Sequence, residues 1–287
     1  MPAHNKPGPA KTLRSWIVGQ EIRHIMNAAQ LTHRALAKAL DWDGSKLSRL
    51  INGQRRVSAA DLTHLLIACN HTNRLDRDRL LALAANDRAP QFWHDDDNTD
   101  LFTTTIADLE HDSTAITYYA PTTLPDILHT PEYHHHFLTT SPLIPAHTVQ
   151  ARTTIYESRR ALLTRYNPPT FTFVIGHPAT CGTPKHLVND QISYLRALSK
   201  KSHITIHALT HQRILALYAT SPFQLLDTAC RGKIVHIPLH TSSLYLEQPH
   251  IIATYQSLIT HYLTQISGPH HSLNNSAVSP PETRKLA

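Results

Sequence analysis

The sequence predicts an N-terminal all-α domain of five helices followed by an α+β domain. Its length of 287 residues exceeds the roughly 150 residues that one domain usually holds. Apolar residues recur at helical spacing up to about residue 88, whereas several strand-like runs surround a helical one beyond Pro168-Pro169. Charge divides in the same way, because residues 1–88 carry 14 Lys and Arg against 7 Asp and Glu, and residues 89–287 carry 13 against 14.

Four segments follow from these patterns. We place a disordered arm at residues 1–11, the all-α domain at 12–88, the α+β domain at 89–267 and a disordered tail at 268–287, because both ends hold little apolar material. No run of 18 apolar residues and no signal-like N-terminus is present, and the three cysteines form no CxxC pair. We therefore expect a cytoplasmic protein.

Three of the five predicted helices flank a central stretch. Apolar spacing predicts a first helix from Thr12 to Ala29, Ser58 followed by Asp61 resembles the capping box of a fourth, and a fifth is expected from about Asp76 to Asn86. The apolar residues of these helices that should enclose the core are Val18, Ile22, Ile25, Met26, Ala29, Leu62, Leu65, Leu66, Cys69, Leu80, Leu81 and Ala84.

The central stretch, residues 31–56, contains two short helical patterns separated by a four-residue break. Thr32 and Asp43 are expected N-caps, and Asp41 occupies a tight turn of positive φ, which Asp tolerates better than most residues. Ala37 is expected where the two helices cross closely. The residues expected to face inward are Ala35, Leu36, Ala39, Leu40, Leu47, Leu50 and Ile51. This arrangement is typical of a helix-turn-helix, whose second helix enters the major groove of DNA.

The residues left on the outside of this motif suit DNA. We predict that Ser45, Lys46 and Arg49 read base edges, since Arg can bond guanine with two hydrogen bonds. On an arbitrary helix, Lys46 and Arg49 would more often be merely solvated. The residues predicted to bind phosphates, because helix N-termini and basic loops position a protein without reading sequence, are Thr32, His33, Arg55 and Arg56.

Residues 13–72 resemble the XRE (Cro/CI-type) helix-turn-helix domain of bacterial and phage repressors. Ala37, the turn at Asp41 and Leu47 stand at the spacing of that motif, and Arg55-Arg56 stands where its members carry a basic loop. The resemblance implies DNA binding, which the basic charge balance of the first 88 residues also favours.

Nearly the whole chain resembles one actinobacterial regulator family, the WhiJ-like or Scr-type antitoxin-like regulators. The resemblance rests on the segments SKLSRLINGQRRVSAADL, LPDILHTPEYHHHFL, VQARTTIYESRRALLTRYNPP and SSLYLEQPHIIATYQSLI. It implies that the C-terminal domain receives a signal, most often from a small partner protein encoded nearby.

The second domain is predicted to begin with helices and to end with strands around a helix. One helix is expected through Ile106, Leu109 and Ile116, a second from Thr130-Pro131, and a third from Ala151 to Tyr166. The later elements are strands at 171–175, 204–210, 223–226, 234–239 and 243–246, and helices at 185–200 and 249–266. This order favours an α+β domain.

We expect no metal or other cofactor. The run of His134, His135 and His136 cannot face one ion, because successive residues of a helix lie about 100° apart. His129 and the stretch His94-Asp95-Asp96-Asp97 lie nearby in the sequence, yet no HExxH or comparable ligand spacing is present. A composition rich in histidine throughout explains the run more simply.

We also expect no enzyme, since no GxSxG, phosphate-binding or dinucleotide-binding loop is present. Cys181 near His177 and His186 could suggest a nucleophile, but an incidental thiol is the simpler interpretation. The tyrosines 118, 119, 133, 156 and 194 could line a small-molecule pocket, although such residues more often belong to a core.

The sequence as a whole therefore predicts a sequence-specific transcriptional regulator, a repressor that binds double-stranded DNA as a homodimer on inverted or paired half-sites. One recognition helix reads few base pairs, so a pair is needed. The second domain is expected to bind the small protein partner. Two alternatives stay open: a regulator that senses a small molecule in its second domain, and an enzyme with a helix-turn-helix adaptor.

Overall fold

A computed structural model describes residues 12–85, 91–94, 100–176, 184–209, 221–229, 231–239 and 242–266. The chain divides into two compact units, Met1–Gln91 and Phe92–Ala287. The predicted arm, the predicted tail and the predicted boundary near residue 88 lie outside the described residues.

The first unit contains the five helices that the sequence predicts. They are α1 (Leu13–Ala28), α2 (His33–Ala39), α3 (Gly44–Ile51), α4 (Ala59–Ala68) and α5 (Arg74–Ala85). Each of the first four begins after an N-cap whose side-chain oxygen accepts a backbone N–H two or three residues later. These caps are Thr12, Thr32, Asp43 and Ser58, so the predicted caps are confirmed.

The same four helices also end alike. The second residue after each helix has a positive φ, which is 55° at Gln30, 53° at Asp41, 62° at Gly53 and 51° at Asn70. The next backbone N–H then donates to a carbonyl five residues earlier, as from Trp42 to Ala37 at 2.9 Å. This hydrogen bond satisfies a carbonyl that the helix end would leave unpaired. The predicted turn at Asp41 is therefore one of four such helix ends.

The core of the first unit includes residues of all five helices. Its fully buried side chains include Leu13, Ile17, Ile22, Leu36, Leu47, Leu50, Leu62, Leu65, Leu66 and Leu80. The predicted inner face of α2 is partly wrong, because Ala35 and Ala39 are exposed. Leu36 and Ala37 are buried as predicted, and the leucine sets the orientation of so short a helix because it gains far more from burial than an alanine methyl group.

Two glycines let α1 approach α3 at backbone distance. A Cβ atom at Gly19 would lie 2.4 Å from the carbonyl oxygen of Ile51, and one at Gly53 would lie 2.5 Å from the Cα atom of Trp16. Neither contact leaves room for a side chain. These two contacts fix the orientation of α3 against α1.

The second unit is built on a seven-stranded mixed sheet, which confirms the α+β prediction. Its strands are β1 (Gln91–His94), β2 (Ser113–Ala120), β3 (Thr170–Gly176), β4 (Ile204–Leu209), β5 (Phe223–Thr228), β6 (Gly232–Pro238) and β7 (Ser242–Leu246). Their order is β1-β7-β6-β5-β2-β3-β4. β2, β3 and β4 are parallel, while β5 runs antiparallel to β2 and to β6, and β6 runs antiparallel to β7.

Five α-helices and two short 3₁₀ helices complete the described part of this unit. The α-helices are α6 (Asp100–His111), α7 (Pro131–Thr140), α8 (Val149–Ala161), α9 (Lys185–Leu198) and α10 (Pro249–Ile266). The 3₁₀ helices are Asp126–Leu128 and Ala146–Thr148.

Two predictions for this unit were wrong. The helix expected to reach Tyr166 ends at Ala161. The helix expected to run through Ile116 ends at His111, and Ile116 lies in β2, in the middle of the sheet. Tyr118, Tyr119 and Ala120 are consecutive and all buried, because the strand is covered on both faces. A strand covered on both faces lacks the alternation that distinguishes it from a helix in the sequence.

The sheet has one apolar face, against which α10 packs. This cluster consists of Tyr119, Val174, Leu209, Phe223, Val235, Leu246, Ile252, Ile259 and Tyr262. The rings of Tyr119 and Tyr262 stack with centroids 4.7 Å apart. The opposite face carries buried polar side chains, among them Gln224, His236 and Ser243.

Candidate functional site

The helix α3 presents an amphipathic surface with a sharp boundary. Leu47, Leu50 and Ile51 are buried in the core of the first unit, whereas Ser45 and Arg49 are exposed and lie one turn apart. A Cβ atom at Gly44 would meet nothing within 4 Å, so the first turn is open to an approaching ligand. This geometry suits a helix that enters a groove with its N-terminal end.

A chain of hydrogen bonds joins the two exposed residues to the helix cap. The Ser45 hydroxyl donates to the Asp43 carboxylate and accepts from Nη2 of Arg49 at 3.1 Å. Nε of Arg49 also donates to the carbonyl oxygen of Ser45 at 3.2 Å. The hydroxyl and backbone N–H of Ser45 lower the pKa of Asp43, which keeps that carboxylate charged. Arg49 therefore lies along α3 and must leave Ser45 before it can read a base.

Lys46 has a different environment from its two neighbours. Its Nζ lies 2.8 Å from Oδ1 of Asp61, in the first turn of α4, and 3.8 Å from the centroid of the Trp42 ring. The hydrogen bond from Lys46 lowers the pKa of Asp61, against the effect of burial. The predicted base reader is thus bound to a carboxylate of its own domain.

The predicted phosphate contacts lie at a helix start and in a loop. The Thr32 hydroxyl accepts the N–H of Ala35 at 3.2 Å and can still donate to a phosphate. His33 is half-buried at the first position of α2, while Arg55 and Arg56 are exposed in the loop that follows α3. The assigned DNA roles of these residues stay predictions.

Sequence reasoning missed the partners of Lys46. No sequence pattern links Trp42 to Lys46, and the spacing of Ser58 and Asp61 indicates only a capping role for Asp61. The two side chains of the ion pair are 15 positions apart, so periodicity within one helix cannot reveal their contact. An acidic residue in the first turn of the helix after α3 was the only available signal.

The second unit contains a buried ionic network at the ends of α6 and α8. Glu110 accepts two hydrogen bonds from Arg159, both 2.7 Å long, and a third from the Tyr118 hydroxyl at 2.6 Å. Nη1 of Arg159 also donates to Asp126. Burial opposes ionisation, but Asp126 and Glu110 outweigh it and raise the pKa of Arg159. The network ties both helices and β2 together.

Two histidines lie beside this network, at the start of α7. Nδ1 of His129 lies 3.3 Å from Nδ1 of His134, and the ring of His134 stacks on Tyr156 with centroids 3.8 Å apart. Burial lowers the pKa of each histidine to about 4. Gln191 holds this segment by bonding the N–H of Thr130 and the carbonyl of Leu128. Both histidines are therefore neutral near pH 7.

A buried polar row crosses four neighbouring strands on the same face of the sheet. Tyr118 of β2 pairs with Gln224, Gln224 with His236, and His236 with Tyr245. Nε2 of His236 lies 2.6 Å from the Ser243 hydroxyl. Among the described residues, Oε1 of Gln224 and Nδ1 of His236 have no hydrogen-bond partner. Burial lowers the pKa of His236 to about 3.

The histidine run diverges as the helical spacing predicted. His134 is buried, His135 is exposed and His136 is half-buried. Within the described ranges, no three His, Cys, Asp or Glu side chains are placed to hold a metal ion. His177 and Cys181 lie outside the described residues, as do Asp95, Asp96 and Asp97, while His186 is exposed on α9.

The five tyrosines considered for a pocket lie mainly in cores. Tyr118, Tyr119, Tyr133 and Tyr156 are buried and Tyr194 is half-buried. Across the same described part of the chain, no helix combines the length and apolar character needed to cross a membrane.

Comparison with known proteins identifies two regions. A family described as a domain of unknown function, DUF5753, matches residues 103–286, which is more than half of the chain. The chain therefore belongs to that family. A helix-turn-helix domain family matches residues 17–80. No curated protein matches the chain.

One solved structure is also similar to part of the chain. The crystal structure of the clp gene regulator ClgR from C. glutamicum is 28% identical, covers 28% of this chain and 97% of its own, and gives a TM-score of 0.22. The helix-turn-helix domain supports a DNA-binding transcriptional regulator.

Proposed function

We propose that this protein is a sequence-specific transcriptional repressor of the XRE type, within the WhiJ-like or Scr-type regulators. The observation that carries the proposal is the exposed pair Ser45 and Arg49 on α3, at the open N-terminal end of a helix that two glycine contacts hold in place. Such a helix can enter the major groove without a change in the fold.

The proposed reading mechanism exchanges one set of hydrogen bonds for another. On DNA, Arg49 leaves Ser45 and bonds O6 and N7 of a guanine, while the released Ser45 hydroxyl bonds a base edge or a phosphate. Thr32, His33, Arg55 and Arg56 bind phosphates and set the register of the helix. Because the hydrogen bonds that Arg49 gives up are exposed, breaking them costs little free energy.

We also propose that two copies act together in the cytoplasm. A homodimer with recognition helices about 34 Å apart would read inverted or paired half-sites, which supplies the specificity that one helix lacks. The second unit would carry the dimer contact and receive a signal from a small protein partner, without catalysing a reaction.

The polar row favours a second candidate function, the sensing of a small molecule. A buried polar group without a partner costs about 1–3 kcal/mol, and Gln224 and His236 each hold such an atom on adjacent strands. A small uncharged molecule with hydrogen-bonding groups could pair with both atoms. A panel of such molecules should raise the Tm of the wild type and not that of His236→Phe, and an equal response of both proteins would refute this candidate.

Footprinting on the DNA upstream of the coding sequence tests the proposed function. We expect protection of two half-sites whose centres lie one helical turn, about 10 base pairs, or a multiple of it apart. Protection that spreads evenly over the fragment would instead indicate binding without sequence reading. No protection at any concentration would overturn the proposal.

A further inference from the structure

Lys46 and Asp61 form a charged pair inside the candidate DNA-binding surface. We infer that Asp61 holds Lys46 away from the DNA backbone, in place of a phosphate, and so lowers affinity for DNA of arbitrary sequence. Asp61 would then determine specificity without touching DNA. The inference rests on the proposed DNA-binding function.

Two contacts from different directions fix the Lys46 ammonium group. The carboxylate of Asp61 lies 2.8 Å from Nζ, and the face of the Trp42 ring lies 3.8 Å from it. Hydrogen bonds between two charged groups are among the stronger ones in proteins, and an aromatic ring attracts a cation to its face. The pair is three-quarters buried, with side-chain exposures of 24% and 26%, so salt screens it less than a fully exposed pair.

Asp61 itself is held in position by the local structure. Its backbone N–H donates to the Ser58 hydroxyl at 3.0 Å, and its carboxylate lies in the first turn of α4, where the helix dipole favours a negative charge. The carboxylate therefore stays in place, and Lys46 would have to give up both of its contacts to reach a phosphate.

The Asp61 carboxylate lies beside residues that are predicted to contact DNA. Lys46 is adjacent to Ser45 on α3, and Asp61 pairs with its ammonium group. A carboxylate that pairs with one cation of a DNA-binding surface reduces by one the number of phosphates that the surface can neutralise. Each phosphate contact contributes about −0.9 to the slope of log affinity against log salt, so the effect of Asp61 can be measured.

The experiment compares four full-length proteins: wild type, Asp61→Asn, Lys46→Met and the double variant. Asn has the shape of Asp, and Met is an unbranched side chain close in length to that of Lys without its charge. Each protein is titrated with a labelled random-sequence duplex, and anisotropy gives the affinity at several salt concentrations. Thermal unfolding confirms that all four are folded, and Asp61→Ser replaces Asp61→Asn if the latter is not.

The inference predicts a strong dependence of one substitution on the other. Asp61→Asn should steepen the slope by about 0.9, which makes its advantage over wild type fall about threefold to fourfold between 50 and 200 mM salt. Lys46→Met alone should leave the wild-type slope unchanged. In the Lys46→Met background, Asp61→Asn should then have no effect on the slope.

Three results would overturn the inference while the proposed function stands. Lys46→Met could flatten the wild-type slope by about 0.9, which would mean that Lys46 already binds phosphate. The effect of Asp61→Asn could persist in the Lys46→Met background. The control variant Asp78→Asn could also change the slope as much as Asp61→Asn does. Asp78 is exposed on α5 and paired with Arg74. If the wild type binds neither the random duplex nor the footprinted site, or binds both without salt dependence, the proposed function itself fails.

Discussion

Two networks in this protein place an arginine beside carboxylates, and they differ in their exposure to water. In the first unit, Arg49 bonds Ser45, which bonds Asp43, all on the exposed side of α3. In the second unit, Arg159 bonds Glu110 and Asp126, with Glu110 fully buried. Exposed pairs contribute about 0–1 kcal/mol, whereas removing one partner of a buried pair costs about 3–5 kcal/mol.

This difference separates residues that can change partners from residues that cannot. Arg49 can leave Ser45 for a base at little cost, since water and DNA both offer replacements. Arg159 has no such replacement, so its network fixes α6, α8 and β2 whether or not a signal is bound. We therefore propose that Arg49 reads DNA and that Arg159 has a structural role.

The largest predicted effect is the loss of the buried pair. Glu110→Ala should lower the free energy of unfolding of the second unit by about 3–5 kcal/mol, because Arg159 would stay buried with less compensation. Urea unfolding followed by circular dichroism measures this change. Asp78→Ala removes an exposed partner of Arg74 and should cost less than about 1 kcal/mol. Equal losses of unfolding free energy in both variants would contradict the distinction between the buried and the exposed ion pairs.

The buried histidines predict a loss of stability in acid. His129 and His134 have a folded pKa of about 4, below their unfolded value of about 6.5. The unfolded chain therefore binds more protons between these values, and stability falls as the pH drops from about 6.5 to 4, with each histidine contributing up to about 1.4 kcal/mol per pH unit.

A variant of one histidine checks the origin of this pH dependence. His134→Phe keeps a ring against Tyr156 and removes one titrating group. The number of protons taken up on unfolding between about pH 6.5 and 4 should then fall by about one, which makes the slope of stability against pH smaller. The stability of both proteins is measured by urea unfolding at a series of pH values. If the stability of both proteins falls equally with pH, His134 does not contribute to the pH dependence.

A smaller effect is expected where α1 meets α3. Gly19→Ala places a methyl group 2.4 Å from a backbone oxygen and should destabilise the first unit by about 1–3 kcal/mol. Gly44→Ala is the matched control, because its methyl group meets nothing within 4 Å, and it should stabilise α3 by up to about 1 kcal/mol. Thermal unfolding measures the stability of both variants. A Gly19→Ala variant as stable as the wild type would contradict the close contact between α1 and α3.

Local patterns allowed most of the first unit to be predicted. Hydroxyl and carboxylate caps, apolar spacing and the turn at Asp41 each depend on residues within one or two helical turns. The contacts of Lys46 do not, since Asp61 lies 15 positions away in the sequence and approaches Lys46 only in the folded domain. The sequence therefore predicted the reading surface and missed the carboxylate within it.

The second unit was less predictable for the same physical reason. Glu110 and Arg159 are 49 positions apart, and the polar row exists only through the register of four strands. β2 was predicted as part of a helix because both of its faces are buried. Strands after residue 170 were predicted more accurately, since turn residues separate short runs of apolar side chains.

The most direct test of the account compares Arg49→Ala with Arg55→Ala on a footprinted site and on a random duplex. Arg49→Ala should cost about 1–3 kcal/mol on the site and far less on the random duplex, because Arg49 reads a base. Arg55→Ala should weaken both equally and reduce the salt slope by about 1. Equal losses on both duplexes for Arg49→Ala would contradict the central claim that α3 reads sequence through Arg49.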